Sequence, residues 1–194
     1  MVAVPSTMLP LGTPAPAFAL VDAVSGRRIG PADVRDAKAL VVMFICNHCP
    51  FVKHVMAEFG RLERDYRDDG LAILAVNAND VDAYPADAPL EMKRLAAAER
   101  WGFPFLHDET QEVAKAFRAA CTPDFYLFDT SRRLVYRGQL DDSRPSLDVP
   151  VTGKDLRAAI EATLADKPVR GDQDPSVGCN IKWKPGNAPE WFGA

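Results

Sequence analysis

The sequence predicts an α/β fold in which one mixed β-sheet carries helices on both faces. Residues 37–45 (AKALVVMFI) form a continuous apolar run rich in β-branched side chains, which is typical of a strand buried on both faces. Residues 71–78 (LAILAVNA) form a second such run. Apolar side chains at helical spacing fill the segment between the two runs. Together they predict a strand–helix–strand unit with parallel strands.

Upstream of this unit, proline and glycine interrupt the first thirty residues, which contain only short alternating pieces. They predict a loop followed by an edge hairpin with Gly26 at its turn. The helix of the central unit starts at Cys49 and is closed by Gly70. Its apolar face consists of Val52, Val55, Met56, Phe59, Leu62 and Tyr66.

The second half of the chain alternates helices and strands. Helical patterns cover residues 89–100, 110–120 and 152–166. Residues 103–108 are predicted to form a short strand. Two aromatic, β-rich runs within residues 123–140 are separated by residues 129–132, which indicates a hairpin.

Length and composition favour one domain, residues 1–167, followed by a tail of residues 168–194. A chain of 194 residues is long enough to bury a sizeable core. The tail is rich in glycine and proline and carries two of the three tryptophans. We therefore expect it to pack on the domain rather than to form a solvated linker.

Charge and hydropathy exclude several classes of partner. The chain is 47% hydrophobic and 26% charged with a net charge of −4, and it has no basic stripe, so nucleic acid is not an expected partner. No apolar run approaches the ~20 residues that span a bilayer, so no membrane partner is expected. No Lys or Arg precedes Arg27, and Pro5, Pro10 and Pro14 interrupt the same segment, so a secretory signal is poorly supported. We expect a cytoplasmic location, leaving export and the oligomeric state open.

The motif Cys46-Asn47-His48-Cys49 is the main candidate for a functional site. It joins the carboxyl end of the first buried strand to the helix that follows, where open α/β sheets place their sites. The partial positive charge of a helix N-terminus stabilises a thiolate, so we expect Cys46 to have a lowered pKa and to act as the nucleophile. The spacing lets both sulfurs form and break a disulfide. His48 is either a residue that tunes the pair or a solvated bystander.

Other uses of the two cysteines are possible. Cysteines are often inert buried side chains, and a CxxC pair can be half of a zinc site. A zinc site of that kind needs a second pair, whereas Cys121 and Cys179 are single and far apart. We expect no metal and no cofactor other than the cysteine pair itself.

A second marker is the segment CTPDF, in which Thr122 and Pro123 directly precede a predicted strand. Either the X–Pro bond is cis, or a trans proline begins an edge strand. A cis-proline loop can keep a backbone edge open for a substrate peptide. Cys121 is either a third redox partner or a buried thiol, and Cys179 is either a resolving or regulatory thiol or a packing residue.

These motifs resemble the redoxin branch of the thioredoxin superfamily, which holds peroxiredoxins and membrane-tethered thiol–disulfide reductases. The resemblance covers residues 10–165, and it includes GTPAPAFALVDAVSGRRIG, ALVVMFICNHCPFVKH and CTPDFYLFD. With GCNIKWKPGN, the chain is similar to a peroxiredoxin-like, AhpC/TSA-related group with a CxxC motif. The resemblance implies a thioredoxin-like fold, with Cys46 as nucleophile, Cys49 as resolving cysteine and Pro123 as the cis-proline beside Thr122.

The sequence also departs from the patterns of these relatives. Peroxiredoxins carry P-x-x-x-T/S-x-x-C, and with Cys49 set on that cysteine this chain has Val42 for the proline and Cys46 for the Thr or Ser. The peroxide-binding hydroxyl is therefore missing. Thioredoxin carries Trp-Cys-Gly-Pro-Cys, whereas here Ile45 replaces the tryptophan and Asn–His replaces Gly–Pro.

We therefore predict a thiol–disulfide oxidoreductase that acts on a protein or small-molecule disulfide or thiol, with Thr122 and Pro123 positioning the substrate. One alternative is a thiol peroxidase in which Cys46 or Cys49 becomes a sulfenic acid. Another is a non-enzymatic redox-sensing or metal-binding module. That module would use Cys46, Cys49, Cys121 and Cys179.

Overall fold

The computed structural model describes residues 3–192, which form the α/β fold that the sequence predicts. The strands are β1 Ala3–Pro5, β2 Leu20–Asp22, β3 Arg28–Ile29, β4 Ala39–Phe44, β5 Leu71–Asn77, β6 Phe105–His107, β7 Cys121–Thr122, β8 Asp124–Phe128, β9 Leu134–Gly138 and β10 Val177–Asn180. The helices are α1 Pro50–Tyr66, α2 Pro89–Glu99, α3 Glu112–Phe117 and α4 Lys154–Leu164. No helix within residues 3–192 is both long and apolar enough to cross a membrane.

The central sheet is mixed and has seven strands in the order β3-β2-β6-β5-β4-β8-β9. β4 and β5 pair in parallel, as do β5 and β6, whereas β8 pairs antiparallel with β4 and β9. The predicted strand–helix–strand unit is therefore confirmed as β4–α1–β5. All six residues of β4 are buried, which explains its continuous apolar run.

Side chains of β4 alternate between two cores. On one face, Val41 and Met43 join a cluster that includes α1, α2 and α4. On the other face, Val42 and Phe44 join a cluster that includes Phe117 of α3. Burial of each such Val, Met or Phe side chain contributes about 1.5–3 kcal/mol to the stability of the fold. Helices packed on both faces thus hold the carboxyl end of β4 in place.

The N-terminal hairpin is also confirmed. β2 and β3 pair antiparallel, and Gly26 lies in their turn with a φ of 74°. The helix predicted over residues 110–120 is shorter, because Arg118 adopts a left-handed conformation that ends α3. The following residues then lead into β7.

Residues of the tail form part of a second sheet, in which β10 lies between β1 and β7. Cys179 is paired with Thr122 and Asn180 with Cys121, both antiparallel. The edge of β7 is therefore occupied by the chain itself. The expectation that this loop keeps a backbone edge open for a substrate peptide is wrong for this conformation.

Candidate active site

The two cysteines of the CxxC motif lie in the turn between β4 and α1. Cys49 is the N-cap of α1, and Pro50 takes the first helical position, where its missing N–H costs nothing. Cys46 and Cys49 are 1% and 0% exposed, and their side chains interact directly. The carboxyl end of β4 thus presents two adjacent sulfurs, as the motif predicts.

The loop that carries Thr122 and Pro123 faces this pair. The Thr122–Pro123 peptide bond is cis, so the first of the two alternatives is confirmed. The Thr122 Oγ1 atom lies 3.5 Å from the Cys46 Sγ atom. The Cys49 Sγ atom lies 3.2 Å from the Thr122 carbonyl oxygen, to which it donates when it is protonated. Both cysteines therefore contact the same loop residue.

Cys49, and not Cys46, has the lowered pKa, which corrects the expectation of a lowered pKa at Cys46. Interaction with the Cys46 thiol is the largest cause that lowers the pKa of Cys49, to about 4, against the opposing effect of burial. The Cys179 thiol, Thr122 and the backbone of Val52 add to the lowering. The N-cap position of Cys49 makes the smaller contribution, since Val52 lies in the first turn of α1, where backbone N–H groups favour a negative charge.

Cys46 has the opposite shift. Its interaction with Cys49, then burial, then the negative charge of Asp87 raise the pKa of Cys46 well above its usual value. A pair of close thiols loses its first proton easily and its second with difficulty, so the two cysteines titrate as one unit. The reduced pair therefore holds one proton and one negative charge.

Asp87 holds the CxxC turn in place. Its buried carboxylate accepts hydrogen bonds from the backbone N–H groups of Asn47 (2.8 Å) and His48 (3.2 Å). It also lies 2.6 Å from the Nδ1 atom of His48 and accepts a bond from Asn79. His48 stacks on Tyr84 with ring centroids 5.2 Å apart. His48 is therefore anchored, not a solvated bystander, and its Nδ1 atom is 4.0 Å from the Cys46 Sγ atom.

Sequence reasoning did not identify Asp87. The loop that follows β5 lies at the same sheet edge as the CxxC turn, because the carboxyl ends of parallel strands meet there. That loop contains three aspartates, Asp80, Asp82 and Asp87, and no pattern in the sequence distinguishes them. Only the fold shows which of them is buried beneath the turn.

Cys46, His48 and Asp87 also bring possible metal-ligand atoms within 4.8 Å of one another. Both carboxylate oxygens of Asp87 already accept hydrogen bonds from the turn and from Asn79. A cation would have to displace these donors. The arrangement fits the support of a thiol turn better than metal binding.

The other two cysteines differ in their surroundings. Cys121 is fully buried and donates to the Pro123 carbonyl oxygen at 3.6 Å, and burial raises its pKa well above the usual value. Cys179 lies against Cys49. Burial, followed by the interaction with Cys49, raises the pKa of Cys179 to about 12. All four cysteines are buried thiols in this structure.

The fold and the family match together define a redoxin-branch member of the thioredoxin superfamily. The profile of the AhpC/TSA family matches residues 11–137, and the chain belongs to this family. No curated protein matches the sequence.

Solved structures include similar chains. An uncharacterized conserved protein from Geobacillus kaustophilus is 55% identical with a TM-score of 0.94, covering 96% of this chain and 98% of that one. A hypothetical protein from Sinorhizobium meliloti 1021 is 47% identical with a TM-score of 0.92, covering 94% and 99%. A thiol:disulfide interchange protein from Chlorobium tepidum TLS is 16% identical with a TM-score of 0.62, covering 79% and 97%. This last likeness concerns the fold alone.

Proposed function

We propose that this protein is a thiol–disulfide oxidoreductase whose redox centre is the Cys46–Cys49 pair. One observation carries the proposal: two interacting sulfurs lie in the turn between β4 and α1, and their interaction lowers the pKa of Cys49 and raises the pKa of Cys46. A thiolate is the reactive form in disulfide exchange, and a neighbouring thiol can close the second bond. In this proposal the pair needs no other cofactor.

The first step is attack on the substrate disulfide R–S–S–R′ by Cys46. We assign the attack to Cys46, because it contacts His48, whose side chain is 17% exposed, whereas Cys49 contacts the buried Cys179. As the Cys46 sulfur bonds to the RS group, its proton passes to the Cys49 thiolate. The R′S⁻ group leaves and then takes that proton from Cys49.

The second step closes the enzyme disulfide. The Cys49 thiolate attacks the Cys46 sulfur, the Cys46–SR bond breaks, and RS⁻ is released. The substrate gains two electrons, the cysteine pair loses two, and the single proton of the pair leaves on R′SH. The factors that lower the pKa of Cys49 favour this step, since they keep the resolving sulfur ionised.

The residues around the pair have supporting roles in this proposal. The Thr122 hydroxyl contacts the Cys46 sulfur and favours its ionised form during attack. Asp87 holds the backbone of Asn47 and His48, and so fixes the geometry of the turn that carries Cys46.

Oxidised glutathione provides the test. The reduced wild-type protein should form a Cys46–Cys49 disulfide, found by mass spectrometry of peptides from a non-reducing digest. The Cys49→Ser variant lacks the thiolate that accepts the Cys46 proton, so it should form a mixed disulfide of glutathione with Cys46 more slowly and should stop there. The Cys121→Ser variant is the matched control and should still close the Cys46–Cys49 bond. A wild-type protein that forms no such bond would refute the proposal.

A thiol peroxidase is the second candidate, because the thiolate resides on Cys49, the position that aligns with the peroxidatic cysteine. A low-pKa thiolate is the form that peroxides oxidise. In an assay with hydrogen peroxide as substrate and dithiothreitol as reductant, this function requires that the wild-type protein consumes peroxide and that the Cys49→Ser variant does not. It also requires a sulfenic acid at Cys49 in the Cys46→Ser variant, trapped with dimedone. Consumption no faster than dithiothreitol alone would exclude it.

A further inference from the structure

The tail lies where the active-site loop would otherwise meet a partner strand. β10 pairs antiparallel with β7, and Cys179 is directly opposite Thr122. The approach is very close at Gly178, where a Cβ atom would lie 2.0 Å from the Thr122 carbonyl oxygen. Only glycine permits this contact, so the sequence of β10 is adapted to the loop.

This strand brings a third thiol to the redox centre. The Cys179 side chain interacts directly with Cys49 and is one of the groups that lower the pKa of Cys49. Cys179 is 3% exposed, so solvent does not separate the two sulfurs. Cys49 therefore has two thiol neighbours, Cys46 in its own turn and Cys179 on the adjoining strand.

We propose that Cys179 is a third redox thiol, which forms a disulfide with Cys49 by exchange with the Cys46–Cys49 bond. The C-terminal strand then acts as a built-in substrate strand beside the active-site loop. This proposal rests on the proposed redox role of the Cys46–Cys49 pair.

The exchange step balances without an outside reactant. The Cys179 sulfur attacks the Cys49 sulfur of the Cys46–Cys49 disulfide, a Cys49–Cys179 bond forms, and the Cys46–Cys49 bond breaks. Cys46 leaves as a thiolate and takes up the proton that Cys179 gives up. No electrons are gained or lost overall, and the disulfide has moved from the turn to the tail.

Oxidation of Cys49 itself prepares this step. Burial is the largest cause of the raised pKa of Cys179, but the interaction with Cys49 and the charge of Cys49 are the next two. Once Cys49 is in a disulfide its negative charge is gone, whereas the positive charge of Lys182 still lowers the pKa of Cys179. Cys179 thus becomes easier to ionise when there is a disulfide for it to attack.

Oxidation of a variant that lacks the competing thiol tests the proposal. Diamide, which converts two thiols to a disulfide, should give Cys46→Ser a Cys49–Cys179 bond, detected as a linked peptide pair after alkylation at low pH. The double variant Cys46→Ser/Cys121→Ser is the matched control and should give the same pair. The double variant Cys46→Ser/Cys179→Ser should lose it.

Other outcomes would overturn the inference. One is a folded Cys46→Ser protein in which Cys49 and Cys179 stay unoxidised. The other is a Cys49–Cys121 bond in place of the Cys49–Cys179 bond. If Cys46→Ser fails to fold, the oxidised wild-type protein decides at pH 9, because exchange should then yield a Cys49–Cys179 pair beside Cys46–Cys49. Its absence there would overturn the inference. A wild-type protein that forms neither the Cys46–Cys49 nor the Cys49–Cys179 bond would instead count against the proposed function.

Discussion

At Cys46 and Cys49, three residues of sequence separation decide where the negative charge of the redox centre lies. Cys49 is the N-cap of α1, and its pKa is lowered first by the Cys46 thiol, then by Cys179, Thr122 and the backbone of Val52 in the first turn. Cys46 faces the carboxylate of Asp87. The motif alone predicts a low-pKa thiolate at this point of the fold, but the boundary of the helix and the buried Asp87 assign it to the second cysteine.

The location of the thiolate can be measured by its absorbance at 240 nm. In the wild-type protein we expect one thiolate to titrate near pH 4, far below the usual range of cysteine. Cys49→Ser should remove this titration, because burial and Asp87 keep Cys46 protonated. Cys46→Ala should raise the pKa of Cys49, since it removes the largest stabilising contact. A low-pH thiolate that survives Cys49→Ser would contradict the assignment.

A second buried acid, Asp124, makes stability depend on pH. Burial raises the pKa of Asp124 from 3.8 to about 7, although Ser6 and Tyr126 bond to its carboxylate. Between these values the folded protein keeps a proton that the unfolded chain has lost, so this group lowers stability as the pH rises from about 4 to 7.

Replacement of Asp124 by asparagine should remove that dependence. Relative to wild type, the free energy of unfolding of Asp124→Asn should rise by roughly 4 kcal/mol between pH 4 and pH 7, since one pKa unit corresponds to about 1.4 kcal/mol. Urea denaturation at a series of pH values measures the difference. Asp148→Asn, at an exposed carboxylate, is the control and should show no such trend. A constant offset for Asp124→Asn would show that Asp124 is ionised throughout.

Among the elements, those with local patterns were predictable and those built from distant pairings were not. Periodicity alone predicts β4, α1 and β5, because burial on both faces of a strand and on one face of a helix leaves a repeat in the sequence. β1, β7 and β10 are two to four residues long; Ala3 of β1 pairs with Cys179 of β10, and Cys179 pairs with Thr122 of β7, so the partners are far apart in the sequence. Such short segments carry no repeat, so only the docking of the tail was predictable, through its composition.

The contact between β10 and the active-site loop can be tested at Gly178. Gly178→Ala would place a methyl group 2.0 Å from the Thr122 carbonyl oxygen, so β10 must shift away. We expect a loss of about 1–3 kcal/mol in the free energy of unfolding, typical of overpacking, and faster alkylation of Cys49. Gly171→Ala is the matched control, since no atom lies within 4 Å of its Cβ position. Equal effects of the two substitutions would show that β10 does not depend on this contact.

In the whole molecule, the redox state and the stability of the fold are linked through the Cys49 thiolate. The folded reduced protein stabilises this charge, and oxidation removes it. A disulfide between residues three positions apart constrains the unfolded chain only weakly, because the closed loop is short. A stabilised thiolate therefore has two effects: it raises the free energy of unfolding of the reduced protein, and it raises the reduction potential of the Cys46–Cys49 couple.

Equilibration of the Cys46–Cys49 couple with glutathione across pH 5–8 tests this link. Because the pKa of Cys49 is lowered from 9.0 to about 4, its stabilising contribution is complete above pH 9 and is lost as the pH falls toward 4. Reduction within this window takes up one proton for two electrons, so the potential should change by about 30 mV per pH unit and lie above thioredoxin's value of about −270 mV. Urea denaturation should show that, as the pH rises, the free energy of unfolding of the reduced form increases relative to that of the oxidised form by up to about 1.4 kcal/mol per pH unit. Cys121→Ser should follow the wild type. If the potential instead changes by about twice 30 mV per pH unit, both thiols are protonated in the reduced protein and the fold does not hold a thiolate at Cys49.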